Sequence, residues 1–283
     1  MKEFVVKSQG SLIKVVQKEM PQLNYNIILK TLRKKDIKVN GKRVNKDIEV
    51  KVGDVVSVYA FISEAPKINR VFEDDNILIV NKPTGIEVVG NENDLVNILS
   101  GEGVNVIACH RIDVNTEGLV LFAKNEMAEK IITNAFKNKT INKYYLAWVN
   151  GKPLKKTDVL NDYLLKDADN SQVKIFKTKV NNSKPITTIY SVIEEYNSTS
   201  LLKVQIPTGK THQIRAHLSF IGHPIIGDEK YGEKSVNKKF NLKKQCLTAV
   251  KLELNFGNSK LSYLNNKTFE TNCSWLKYVV KDK

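Results

Sequence analysis

The sequence predicts an α+β protein, with a mixed, mainly antiparallel sheet in its larger part and a small α+β unit ahead of it. Three observations support this. Strand-length segments follow one another between residues 143 and 206 with few helical stretches between them, which favours an antiparallel or mixed sheet over a parallel doubly wound one. At the front of the chain, apolar residues at helical spacing give way to a period of two around an Asn-Gly pair. A chain of 283 residues with 41% hydrophobic content can bury a large core and a small one.

Residues 1–62 read as the small unit. Leu12, Val15 and Val16 place a helix over Ser11–Glu19, and Ile27, Ile28, Leu29 and Leu32 place a second over about 24–34. Ile37–Val44 then carries Asn40-Gly41, a strong hairpin signal, and Val55–Tyr59 is a further strand. Lys30, Arg33, Lys34, Lys35, Lys38, Lys42 and Arg43 would form a basic face for phosphates. Ser63–Lys67, polar and broken by Pro66, reads as a linker.

The larger domain, residues 69–283, opens with a strand, an Asp-Asp-Asn turn and the apolar strand Ile77–Val80, stopped at Lys82-Pro83-Thr84-Gly85. A short helix follows over Asn93–Ser100. His110-Arg111-Ile112-Asp113 is a compact polar block that passes through Thr116-Glu117-Gly118 into Leu119–Ala123, an apolar run of strand length. Asp113 is thereby held at the mouth of a core strand, where a rigid element can fix a reactive side chain. Glu126–Lys137 is helical, with Met127, Ile131 and Ala135 at a spacing of four, and Lys143–Gly151 is a strand carrying Tyr145. Strands are expected at about 157–164, 172–180, 185–196 and 199–206. The segment from Thr208 turns at Gly209 and enters a helix, with Thr211 as N-cap and Ile214, Leu218 and Ile221 as its apolar stripe. Cys246–Phe256 and Lys267–Trp275 close the sheet.

The formal charge is +15, from 45 Lys and Arg against 30 Asp and Glu, which favours a polyanionic partner such as nucleic acid. Residues 1–65 hold 13 Lys and Arg against 7 Asp and Glu, so most of the excess lies in the larger domain. Cys109, Cys246 and Cys273 form neither a zinc pattern nor a disulfide framework. No apolar run approaches ~18 residues, and the N-terminus lacks a signal-peptide core, so a cytoplasmic protein without a membrane segment is expected. His110, His212, His217 and His223 lack metal-ligand spacing, and no glycine-rich phosphate loop is present, so neither metal nor nucleotide cofactor is implied.

His110-Arg111-Ile112-Asp113-x-x-Thr116-x-Gly118 before an aliphatic strand resembles the signature of the RluA-type RNA pseudouridine synthases. Lys82-Pro83-x-Gly85, Lys143-x-Tyr145-x-Ala147-x-Val149-x-Gly151 and Thr208-Gly209-Lys210-x-His212-Gln213-Ile214-Arg215 are similar to that family's other motifs, in the same order. Glu117 stands where the family usually has Ser, and Lys210 where it usually has Arg. The front unit resembles the S-four RNA-binding module, although Ser11-Leu12-Ile13 stands in place of that module's usual Arg-Leu-Asp opening.

The resemblance implies the pseudouridine synthase fold, catalysis without a cofactor, and a monomer acting on RNA: large-subunit ribosomal RNA first, tRNA second. It implies Asp113 as the catalytic carboxylate, Arg215 as its pairing cation, and Tyr145 packed against the uracil and able to serve in C5 deprotonation. Arg111, His110, Lys82, Lys210 and His212 are implied as RNA contacts, and Glu117 is expected to point outward. The reaction breaks the N1–C1′ bond of uridine and rejoins the base through C5. Because the base is recaptured, one carboxylate can suffice where ordinary glycosidases use two. The uridine must leave its helix or loop first, at a cost of about a few kcal/mol. Rival readings are a non-catalytic RNA-binding or ribosome-assembly protein, and a nucleoside hydrolase or DNA glycosylase that would release free base.

Overall fold

The computed structural model describes the chain except residues 22, 24, 60–65, 168–170, 280, 281 and 283, and only the backbone of residue 26. The chain divides into two compact units, Met1–Lys67 and Ile68–Lys283. The first three residues of the expected linker, 63–65, lie outside the described residues, as does residue 24 of the second expected helix.

In the first unit, β1 (Lys2–Val5), β2 (Gly10–Ser11), α1 (Leu12–Glu19), α2 (Tyr25–Arg33), β3 (Ile37–Val39), β4 (Lys42–Val44), β5 (Glu49–Val50) and β6 (Val55–Val58) follow in order. Asn40 and Gly41 both have positive φ, 51° and 76°, which the β3–β4 turn requires and which Asn and Gly tolerate. The sheet order is β1-β6-β3-β4, all antiparallel. Leu12, Val16, Ile28 and Leu32 from the helices meet Ile37, Val56 and Val58 from the sheet in one core. Lys30, Arg33, Lys34, Lys35, Lys42 and Arg43 are exposed, and Lys38 is half-buried.

The second unit holds β7 (Asn69–Glu73), β8 (Ile77–Lys82), α3 (Leu95–Gly101), β9 (Ile107–Ala108), β10 (Glu117–Ala123), α4 (Glu126–Lys137), β11 (Asn142–Asn150), β12 (Thr157–Asp167), β13 (Gln172–Phe176), β14 (Lys184–Glu195) and β15 (Thr199–Gln205). It continues with α5 (Gln213–Phe220), α6 (Lys234–Lys239), β16 (Leu247–Glu253), β17 (Thr268–Glu270) and α7 (Leu276–Val279). The strands form one sheet, β13-β12-β14-β15-β11-β16-β10-β8-β7, with β17 beside β16 and β9 beside β10. Among the described pairings β10–β16 is parallel and the rest are antiparallel, so the sheet is mixed and mainly antiparallel.

Every residue of β10 is buried. Its period of two sends Leu119, Leu121 and Ala123 to a layer with Ala128, Ile132 and Ala135 of α4. Val120 and Phe122 go to the opposite layer with Leu95, Leu99, Ile112, Tyr145 and Ile214. Gly118 is needed at the start of this strand: a Cβ there would strike the backbone of Ala249, and its φ is 117°.

Several boundaries differ from the sequence expectation. The buried stripe of α4 is Ala128, Ile132 and Ala135, with Met127 and Ile131 half-buried at its edge, because that face packs on Leu119, Leu121 and Ala123 of β10. The strand expected over 172–180 stops at Phe176, and the chain turns before β14 through bonds between Val180 and Ser183. The closing strands are short because the chain between them folds back, with Leu254 and Lys267 bonded through their backbones. No described helix is long and apolar enough to cross a membrane.

Candidate active site

Asp113 sits in the turn that feeds β10, with the Thr116 amide donating to its carbonyl at 3.0 Å. Gln245 Nε2 fixes the Thr116 hydroxyl at 2.6 Å, so the turn is tied to the segment entering β16. The Asp113 side chain is 23% exposed and opens into a cleft of about 1140 Å³. Arg215, on the first turns of α5, is 7% exposed and donates from one terminal nitrogen to Asp113 Oδ2 at 2.9 Å. Its Nε and other terminal nitrogen grip Asp228 at 2.7 and 2.9 Å. The guanidinium therefore bridges two carboxylates that come from distant parts of the chain. Such a bidentate grip fixes the orientation of the fork and aims its remaining edge at Asp113.

Asp228 is the anchor of this arrangement. It also accepts from the amides of Lys230 and Tyr231 at 2.8 and 3.1 Å. Burial pushes its carboxyl up, and the bonds from Arg215 and the amides overcome that, leaving it below the usual range. Tyr231 lies under Arg215, with the guanidinium 5.2 Å from the ring centre, and its hydroxyl sits 2.9 Å from His212 Nδ1. Sequence reasoning gave neither Asp228 nor Tyr231 a role. Their place in Gly227-Asp228-x-x-Tyr231-Gly232, shortly after the helix that carries Arg215, discloses no contact by itself.

Tyr145 is buried in β11 and lines the cleft. Burial first, and then the charge of Asp113, push its hydroxyl well above the ordinary range, so it stays a phenol. Arg111 and Lys210 are exposed on the cleft, and His212 is half-buried there. Lys137, Lys139, Lys143 and Lys230 also line it, against Glu87, Asp113 and Glu229, so its walls are mostly cationic.

Four readings of the sequence need correction. Lys82 faces no solvent: its ammonium is buried and donates to the carbonyls of Pro83, Ile86 and Val114 at 3.0, 2.8 and 3.0 Å. Those bonds tie the Lys82-Pro83-Thr84-Gly85 turn to the Asp113 loop, and burial lowers the ammonium to about 7. His110 is half-buried in the cleft wall rather than displayed on its surface. Its Nε2 accepts the Leu121 amide at 2.9 Å, its ring packs on Phe136, and burial lowers it to about 3, so it is a neutral brace. Glu117 points inward, accepting from Thr248 Oγ1, the Ser274 amide and Ser274 Oγ at 2.8, 2.8 and 2.6 Å. These donors satisfy a carboxylate that would otherwise favour solvent. Finally, the N-cap of α5 is His212 rather than Thr211, held in the left-handed region at φ 54° without a side-chain cap bond. Gln213 instead braces that loop, accepting from Thr208 Oγ1 and the Lys210 amide.

His217 lies beneath this surface, fully buried between Thr188 and Asp162 at 2.9 and 2.8 Å, and has no access to the cleft. No group of three or more metal-ligating side chains occurs among the described residues.

A carboxylate locked to a buried guanidinium at the end of a mixed sheet, beside a cationic cleft, suits chemistry on a polyanionic substrate. The comparisons with known proteins give that chemistry a family. The model of the RNA pseudouridylate synthase family matches residues 76–220. A protein of Mycoplasma capricolum subsp. capricolum named "Uncharacterized RNA pseudouridine synthase" is 34% identical over 98% of this chain and 99% of its own. The "Ribosomal large subunit pseudouridine synthase C" of Vibrio vulnificus is 34% identical over 77% of this chain and 74% of its own. The solved structure of "Human RNA Pseudouridylate Synthase Domain Containing 1" shares the fold, with a TM-score of 0.63 at 24% identity over 75% of this chain and 84% of that one. The chain belongs to the RNA pseudouridylate synthase family. It is an isomerase that converts uridine in RNA to pseudouridine.

Proposed function

We propose that this enzyme modifies large-subunit ribosomal RNA, with Asp113 as its catalytic carboxylate. The observation that carries the assignment is the Asp113–Arg215 pair, one carboxylate oriented by a buried guanidinium and open to a cationic cleft. Asp113 meets the extruded uridine at its sugar, assists departure of the base and takes part in the proton transfers that follow. Arg215 orients that carboxylate, and Asp228 holds Arg215. Tyr145 packs against the uracil. Because its hydroxyl stays a phenol, it can accept the C5 proton only by passing on its own.

Arg111, Lys210 and His212 contact the RNA around the cleft. The first unit acts as an S-four-like RNA-binding module, through the exposed cations of α2 and the β3–β4 hairpin. The name of the Vibrio vulnificus relative favours ribosomal RNA over tRNA. The enzyme works as a cytoplasmic monomer, a setting that agrees with its free cysteines.

Incubation with C5-tritiated, unmodified large-subunit ribosomal RNA transcript tests this reading. The protein is expected to release tritium, and Asp113→Asn to abolish release while RNA affinity stays within about tenfold, since the side chain keeps its shape and the phosphate contacts that dominate affinity remain. Appreciable turnover by Asp113→Asn would remove Asp113 from its role. Tritium released from a tRNA transcript but not from the ribosomal one would reassign the substrate.

A further inference from the structure

We propose that Lys143 is a phosphate-binding residue of the cleft, holding the RNA backbone beside the uridine that enters it. The inference rests on the reading of this cleft as the RNA site. Lys143 and Tyr145 stand two apart on β11, so their side chains share one face of the strand, and both line the cleft. Tyr144 between them is bonded to Glu253 at 3.0 Å.

The Lys143 ammonium lies 5.2 Å from the centre of the Phe136 ring. It also lies 3.0 Å from where a Cβ on Gly209 would stand. A glycine at that position leaves the ammonium its space beside the Thr208–Lys210 loop. The Lys143 ammonium has no hydrogen bond or ion pair to any described residue. The buried cations of this unit are already occupied, whereas Arg111, Lys137, Lys139 and Lys210 stand exposed on the cleft. Arg215 is taken up by Asp228 and Asp113, and Lys82 by three backbone carbonyls.

A desolvated cation with no anion beside it is an unfavourable element of a fold, and burial accordingly lowers the Lys143 ammonium's hold on its proton. An anion supplied by the ligand would reverse that penalty. A compact ammonium on a flexible stem acts as a point charge toward a phosphate oxygen. The polyanion that enters this cleft is RNA, and each linkage of its backbone carries one such charge.

The test compares the full-length protein with Lys143→Gln and Lys143→Arg, binding an unmodified large-subunit ribosomal RNA transcript at several salt concentrations. Losing one phosphate contact is expected to flatten the slope of log affinity against log salt by about 0.7 to 0.9 in Lys143→Gln, with the slope restored in Lys143→Arg. An unchanged slope overturns the proposal, and so does lower affinity at the same slope, which would mean contact with an uncharged part of the RNA. A second measurement leaves the protein unaltered and decides the matter should Lys143→Gln fail to fold. Lysine acetylation with and without the transcript, read by mass spectrometry, should show Lys143 shielded by RNA. Equal labelling in both states, including none, counts against the assignment. Tritium release by the unaltered protein is scored separately, so a failure of the catalytic reading is told apart from a failure at Lys143.

Discussion

Arg215 concentrates the energetics of the site. Its guanidinium is buried and satisfies two carboxylates, so removing it does more than silence Asp113. Arg215→Ala leaves Asp228 with 0% side-chain exposure and without its cation, a loss of about 3–5 kcal/mol in stability. Urea denaturation should show that loss, and Arg215→Ala combined with Asp228→Asn should recover part of it. The resemblance implied only a cation paired with Asp113; the bidentate grip on Asp228 makes Arg215 a structural residue as well. His110 gives a pH signature. Its ring is lowered from 6.5 to about 3, so between those values the unfolded chain binds a proton that the folded one refuses. Stability should therefore fall as pH drops from 6.5 toward 3, by about 1.4 kcal/mol per unit from this group. Melting curves of the unaltered protein against His110→Gln should show a shallower acid limb in the variant, and parallel limbs would mean that the ring is not held neutral.

At the scale of elements, β10 is joined to the end of the chain through Glu117. Thr248 Oγ1 accepts from the Trp275 indole at 2.7 Å while donating to Glu117, so β10, β16 and the segment before α7 meet in one buried cluster. Glu117→Ala leaves the buried Thr248 hydroxyl without its acceptor, at about 1–3 kcal/mol for an unmet buried group. Ser274→Ala removes one hydroxyl and should cost less. Thermal melts rank the two, and tritium release at a temperature where both are folded tells whether the cluster also supports the Asp113 turn. A Glu117→Ala protein as stable as the parent would show that the cluster carries no net stability.

At the scale of the whole molecule, the basic excess is divided between the two units, with 13 Lys and Arg against 7 Asp and Glu in residues 1–65. Each unit has its own hydrophobic core. Deleting residues 1–62 should leave a folded second unit that binds the transcript more weakly and with a flatter salt dependence. Salt titrations of binding measure this directly. An unchanged slope would mean that the RNA is gripped by the larger unit alone.

The sequence by itself determined the α+β class, the order of the motifs and the buried character of β10. Those features follow from local periodicity and from glycines such as Gly118 that only one backbone arrangement requires. It also singled out Asp113, Tyr145 and Arg215, which the fold brings to one cleft. Where each charge ends up was decided by tertiary structure. Lys82, His110 and Glu117 read as polar residues free to meet RNA or solvent, yet Lys82 and Glu117 are buried and His110 half-buried, each against partners that the sequence does not place nearby. Asp228 became the anchor of Arg215 only once α5 and the turn after it were folded together. A one-dimensional pattern records which side chains are apolar. It does not record which donors and acceptors converge from distant segments, and that convergence sets the free energy of a buried charge.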